Sequence, residues 1–211
     1  MVLPIIYRKN PGYDVKFDWV DFATGNGYID FYGADAVTPN PTHNYFLTTN
    51  SNIDSTSGDN ALTATGIKTY AANTTLDIDF DVTFQIPIDV AAGIAYVNYT
   101  MKFSANDNIG ATITIYHVTS GGTETSLGSN THLTDDDDGS GQYFRDCHKI
   151  TTTAKHFAAG EKLRINFNAV VEAAEAIYLF HDPSSSLTFT DSMGRTVGSD
   201  FVAAIPFKVN N

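Results

Sequence analysis

The chain has 211 residues, of which 42% are hydrophobic and only 17% charged, with a formal net charge of −12 from 12 basic and 24 acidic residues. Such a length suits one large β-sandwich or barrel as well as two small domains, and the apolar content excludes a disordered or fibrous chain. The acidic balance disfavours a nucleic-acid partner, because a phosphate backbone is repelled on average, and one cysteine, Cys147, permits no intrachain disulfide.

Residues 1–12 read as an N-terminal arm. Its basic tip, Arg8 and Lys9, precedes the turn signal Pro11-Gly12 and supplies two candidate partner contacts. The apolar run Val2 to Ile6 contains a proline and is too short for a signal-peptide core. No run approaches the ~18 apolar residues of a membrane span, so neither secretion by the standard route nor a membrane partner is expected.

Residues 13–211 read as a single domain. Val15, Phe17, Trp19 and Phe22 suggest a strand, Thr24-Gly25-Asn26-Gly27 a hairpin turn, and Tyr28, Ile29, Phe31 and Tyr32 the return. Residues 34–66 form a long irregular excursion, rich in Asn, Ser, Thr and Pro, with one short strand at Tyr45-Phe46-Leu47. Long loops in compact domains carry function, which makes Tyr45 and Phe46 the second pair of candidate contacts.

Leu76 to Val90 is the clearest element. Leu76, Ile78, Phe80, Val82, Phe84, Ile86, Ile88 and Val90 alternate with Asp77, Asp79, Asp81, Thr83, Gln85, Pro87 and Asp89. Strict alternation places the apolar set on one face of an extended chain, and Pro87 breaks the ladder because it has no amide hydrogen. Ala95, Val97, Tyr99, Met101 and Phe103 repeat the pattern. Ala111 to His117 and Thr123 to Leu127 flank the turn Ser120-Gly121-Gly122 as a second hairpin. Tyr143 to Thr153 reads as a strand carrying Phe144, Cys147 and Ile150. Leu163, Ile165, Phe167, Ala169 and Val171 alternate, Ala176 to Phe180 follows, and Phe201 to Val209 closes the domain, with Pro206 marking an edge or bulge. With no convincing amphipathic helix, the expected fold is all-β: a two-sheet antiparallel β-sandwich, jelly-roll-like, of about eight to ten strands.

Chemistry is harder to find. Asp135, Asp136, Asp137 and Asp138 offer oxygen ligands for Ca²⁺, yet in an EF-hand register Arg145 falls where a bidentate Glu is needed, and a solvated acidic loop is the favoured reading. Asp77, Asp79 and Asp81 share one strand face about 7 Å apart, which reads as a solvent face rather than a carboxylate pair. Cys147 and His148 point opposite ways on a strand, so they form no nucleophile–base pair, and Cys147 reads as a buried structural thiol. The histidines at 43, 117, 132, 148, 156 and 181 show no zinc-ligand spacing, which leaves open only a zinc site assembled from distant strands, and nothing in the sequence signals one. Trp19, Tyr28 and Tyr32 are the aromatics a sugar-binding face would use. No phosphate loop, nucleophile elbow or dinucleotide fingerprint is present. The expectation is therefore no catalytic residues and no cofactor.

Four stretches carry a resemblance: Phe17-Asp18-Trp19-Val20-Asp21, His156-Phe157-Ala158-Ala159-Gly160-Glu161-Lys162-Leu163-Arg164, Ile177-Tyr178-Leu179-Phe180-His181-Asp182-Pro183, and Ala204-Ile205-Pro206-Phe207-Lys208-Val209. Together they resemble a loose group of uncharacterised tailed-bacteriophage virion proteins, single-domain β-sandwiches that decorate heads or form other virion parts. The resemblance implies a non-enzymatic capsid decoration or accessory protein, assembled in the host cytoplasm and located on the virion. It also implies the major capsid protein or other virion proteins as partners, and a homo-oligomer, with a trimer suggested by the threefold sites of icosahedral lattices. The alternative is a carbohydrate-binding module that adsorbs to host glycans.

Overall fold

The computed structural model describes residues 15–16, 26–35, 45–50, 67–69, 75–103, 108–135, 143–171, 177–181, 188–190, 196–198 and 201–208. Arg8, Lys9, Trp19, Asp136, Asp137 and Asp138 lie outside the described residues.

The strands are β1 (Val15–Lys16), β2 (Asn26–Asp35), β3 (Tyr45–Thr48), β4 (Ile67–Thr69), β5 (Thr75–Thr83), β6 (Ile88–Val90), β7 (Gly93–Phe103) and β8 (Asn108–Val118), then β9 (Glu124–Asp135), β10 (Tyr143–Thr152), β11 (Lys155–Phe157), β12 (Lys162–Val171), β13 (Ile177–Phe180), β14 (Thr188–Thr190), β15 (Thr196–Gly198) and β16 (Val202–Lys208). The fold is all-β, as expected. Eight strands have seven residues or more, and the other eight are pieces of two to four residues too brief to show a period.

Fourteen strands form one sheet whose main path runs β4-β13-β7-β16-β2-β3-β5-β12-β8-β9, with β10 on the far edge of β7. Among the described residues every pairing is antiparallel except the bridge Phe46–Asp81 between β3 and β5. The connection between those two strands is long enough for the crossover that parallel pairing requires. The sheet folds back on itself, so that β9 and β10, at its two ends, come together without a backbone ladder between them.

Alternation explains the core. Leu76, Ile78 and Phe80 of β5 are buried, as are Ala95, Val97, Tyr99 and Met101 of β7 and Leu163, Ile165, Phe167 and Ala169 of β12. Full burial of a Phe or Leu contributes about 1.5–3 kcal/mol each relative to exposure. Phe80 stacks on Phe201 at 4.4 Å, and Tyr99 meets Phe167 edge-on at 5.0 Å. Gly33 lies where a Cβ would come within 2.8 Å of Phe201 and 2.9 Å of Phe80, so no larger residue fits beside this stack.

The prolines behave as the ladder demands. β5 ends at Thr83 and β6 begins at Ile88, with Pro87 between. The bend is held by the Phe84 amide donating to the Glu161 carbonyl at 2.9 Å and the Gly160 amide donating to the Phe84 carbonyl at 2.8 Å. Pro206 is internal rather than at an edge. Its carbonyl accepts the Ala91 amide at 2.9 Å, so its nitrogen faces the same side, where β16 changes neighbour from β7 to β6.

One side-chain assignment is corrected. Cys147 is exposed, and His148 and Ile150 are buried. Phe144, Cys147 and Ile150 cannot share one face at a period of two. The inward set of β10 is the even one, which includes the polar pair Asp146 and His148.

Candidate metal centre

Two polar residues separated by one position face inward on β10, and a third joins them from β9. Asp146 lies opposite Tyr99 in the β10–β7 ladder, and His148 lies opposite Val97, so both share the face of that buried pair. On β9 the Thr131 hydroxyl bonds to that of Thr112 at 2.8 Å on the outer face, which turns His132 inward opposite Ala111. Folding the sheet on itself then brings these inner faces together.

The geometry is tight. His132 Nδ1 donates to Asp146 Oδ1 and Oδ2 at 3.1 and 3.0 Å. His148 Nε2 lies 3.3 Å from Asp146 Oδ2. The two imidazoles stack, with centroids 4.1 Å apart at 24°. His148 Nδ1 donates to the Asn130 carbonyl at 3.2 Å, which leaves Nε2 as the atom presented to the cluster. In the neutral ring that nitrogen accepts the Tyr99 hydroxyl at 2.8 Å. A histidine with one nitrogen committed to a backbone carbonyl and the other aimed at a carboxylate is the arrangement that orients metal-ligating imidazoles.

Electrostatics keep the carboxylate charged. Burial alone would raise the Asp146 pKa, but the neighbouring His148 and the hydrogen bonds from the Cys147 amide and His132 outweigh it and hold the carboxyl well below its ordinary range. Burial, then the charge of Asp146 beside it, push the Tyr99 phenol far above its usual value, so it remains a protonated donor.

His132, Asp146 and His148 each offer a ligand atom, and these atoms lie within 4.8 Å of one another. A tetrahedral ion bonded at about 2.0–2.1 Å holds its ligand atoms about 3.3 Å apart. The Asp146–His148 and Asp146–His132 separations of 3.3 and 3.0 Å are close to that value. Nitrogen and carboxylate donors suit zinc and its first-row neighbours better than Ca²⁺, which takes 6–8 oxygens. Among the described residues no other group of three His, Cys, Asp or Glu converges in this way. His117 with Glu161, at 2.8 Å, and His156 with Asp89, at 2.7 Å, are pairs only.

The residues singled out from the sequence are placed elsewhere. Asp135 ends β9 opposite Asn108. Tyr45 packs its ring 5.4 Å from Phe80 and 5.5 Å from His181, against the core rather than outward. Phe46 is half-buried at the parallel bridge. Asp79 and Asp81 are bound to Arg164. Its Nε and Nη2 donate to Asp81 at 2.7 and 2.8 Å, and Nη1 lies 2.7 Å from Asp79 and 2.6 Å from Glu124. The cluster of His132, Asp146 and His148 was not singled out, although Asp-x-His at a period of two was its visible signal.

No family model matches the chain, and no curated protein matches it in sequence. Among solved structures it is similar to an aminopeptidase from the marine sediment archaeon Thaumarchaeota archaeon, at 9% identity and a TM-score of 0.47 over 63% of this chain and 26% of that one. It is also similar to a CocE/NonD family hydrolase from Staphylococcus aureus, at 7% identity and 0.44 over 83% and 41%. The infectious bursal disease virus Gt strain structure aligns at 10% identity and 0.24 over 87% and 51%. The chain thus spans about a quarter to two-fifths of the length of these two hydrolases. At such identities and TM-scores no activity, substrate or partner passes from them to this chain.

The expectation of a non-enzymatic capsid decoration protein is corrected. The structures aligned at the highest of these TM-scores are hydrolases, and the capsid structures align only at 0.24 and 0.23. The exclusion of an enzyme rested on the absence of linear motifs, whereas this fold assembles its polar cluster from two successive strands, β9 and β10, that meet without a ladder. What that expectation retains is the all-β fold. Carbohydrate-binding modules, aligned at 0.27 and 0.25, carry nothing further for the glycan alternative. Among the described residues no helix is long and apolar enough to cross a membrane.

Proposed function

We propose that this chain is a metal-binding β-sandwich that holds one divalent transition-metal ion, of the zinc class, through His132 Nδ1, a carboxylate oxygen of Asp146 and His148 Nε2. The observation that supports it most is the orientation of His148, whose Nδ1 is occupied by the Asn130 carbonyl while Nε2 faces Asp146. The ionised state of Asp146 and the inward turn of His132 act in the same direction. Three protein ligands leave the fourth position of a tetrahedral ion to water or an added ligand. Asp135, Asp136, Asp137 and Asp138 follow His132 closely in sequence, and in this proposal their charge raises the local concentration of cations.

Calorimetric titration of chelator-stripped protein with ZnCl₂, paired with elemental analysis, tests the proposal. One ion per chain is expected in the wild type and in H156A, with binding abolished in H148A and D146A. Equal binding by the wild type and H148A would overturn it.

A further inference from the structure

We propose that occupancy of this site governs whether the seam between β9 and β10 is shut, with the ion acting as a clasp that closes the sheet on itself. The inference rests on the metal-binding proposal above and assigns the ion a consequence.

The seam is the weak line of the fold. Elsewhere along the main path neighbouring strands share backbone ladders, but β9 and β10 do not. Their described links are single hydrogen bonds and side-chain contacts running from Leu127 to His132. Asn130 Nδ2 donates to the Lys149 carbonyl at 2.8 Å, His148 Nδ1 to the Asn130 carbonyl at 3.2 Å, and the Thr153 amide to the Leu127 carbonyl at 2.9 Å. Gly128 lies so close to β10 there that an added Cβ would meet the Thr151 carbonyl oxygen. Toward the other end, the described links are the His132–Asp146 bonds and the stack of His132 on His148.

The ligands are divided across that line, His132 on β9 and Asp146 and His148 on β10. A three-ligand ion can be held only when both strands are in place. Binding therefore favours the closed seam over any state in which the two ends of the sheet part, by the ratio of affinities of the two states. Local opening is the motion an edge without a ladder permits. Behind the seam stand Tyr99, Ile150 and Leu127, all buried, so parting the strands would wet this side of the core.

Hydrogen exchange read by mass spectrometry, with and without saturating ZnCl₂ on the full chain, tests the clasp. Zinc is expected to slow exchange at least tenfold in peptides covering 127–134 and 144–151, with a smaller effect over 76–82 and 163–170. In H132A the seam-specific slowing is expected to vanish, and H132Q serves the same purpose if H132A folds poorly. Zinc that binds by calorimetry yet slows all regions equally, or none, overturns the clasp and leaves the metal-binding proposal standing. Absence of zinc binding overturns both.

Discussion

The imidazole of His132 lies flat against that of His148, 4.1 Å away, although the strands that carry them share no backbone ladder. The contact exists because the sheet returns on itself and Asp146 accepts hydrogen bonds from His132 while lying beside His148. Asp146 thus lies beside both imidazoles, and the Asn130 carbonyl on β9 fixes the second of them through His148 Nδ1.

Tyr99 is a neighbour of the ligands rather than one of them. Its hydroxyl sits on His148 Nε2, the atom an ion needs. Y99F is expected to bind Zn²⁺ at least as tightly as the wild type, while losing about 1 kcal/mol of stability for the missing hydrogen bond. D146N is expected to lose at least about 100-fold in affinity, since a charged ligand is replaced by a neutral one. Parallel titrations decide it, and a Y99F loss as large as that of D146N would make the phenol a ligand.

Arg164 joins β5, β12 and β9 on the outer face of the sheet. It is bidentate to Asp81 and reaches Asp79 and Glu124 at a position only 20% exposed. Exposed ion pairs are worth about 0–1 kcal/mol and broken buried ones cost about 3–5, so R164A is expected to cost about 1–3 kcal/mol. For a chain of this size that lowers Tm by several degrees. An unchanged Tm in a thermal scan would show the network to be decorative.

Acid should weaken the fold through identifiable carboxylates. The hydrogen bond from His117, then the Ala158 amide, hold Glu161 below its ordinary 4.5. Burial would raise Asp81, but Arg164 and Lys162 outweigh it and hold the group below its ordinary 3.8. A carboxylate with a lower pKa folded than unfolded contributes stability above its unfolded value and loses it as pH falls through the folded one. The contribution of these two groups is therefore intact from pH 7 to about 5 and declines below about 4.5. Urea midpoints measured from pH 7 to 3 should fall less steeply at the acid end for E161Q than for the wild type. Equal slopes would count against the assignment.

Gly128 is fixed by the seam. A Cβ there would run into the Thr151 carbonyl oxygen, a backbone atom that cannot step aside alone. G128A is expected to cost about 2–3 kcal/mol by forcing β9 away from β10. Urea unfolding measures it, and a change within roughly 0.5 kcal/mol, the range of neutral surface substitutions, would mean the strands part freely there.

Where alternation is pure, it was legible. Leu76 to Phe80, Ala95 to Met101 and Leu163 to Ala169 gave their inner faces at a period of two, and those residues are buried. It failed on β10, where the inward set includes Asp146 and His148. Hydrophobicity there no longer marks the inside, and Cys147 was assigned to the wrong face. The cluster was hidden for a related reason. Its spacing is local only between Asp146 and His148, and the third residue arrives through closure of the sheet, a property of all the strands between β10 and β9. Likewise the parallel bridge of Phe46 to Asp81 follows from a crossover no local pattern encodes. The functional expectation failed because absent linear motifs were read as absent chemistry.

Anomalous diffraction at the zinc edge from crystals grown with ZnCl₂ would locate the ion itself. One dominant peak is expected within about 2.0–2.1 Å of His132 Nδ1, an Asp146 carboxylate oxygen and His148 Nε2. Density confined to surface pairs such as His156 and Asp89, with the seam cluster in its hydrogen-bonded arrangement, would contradict it.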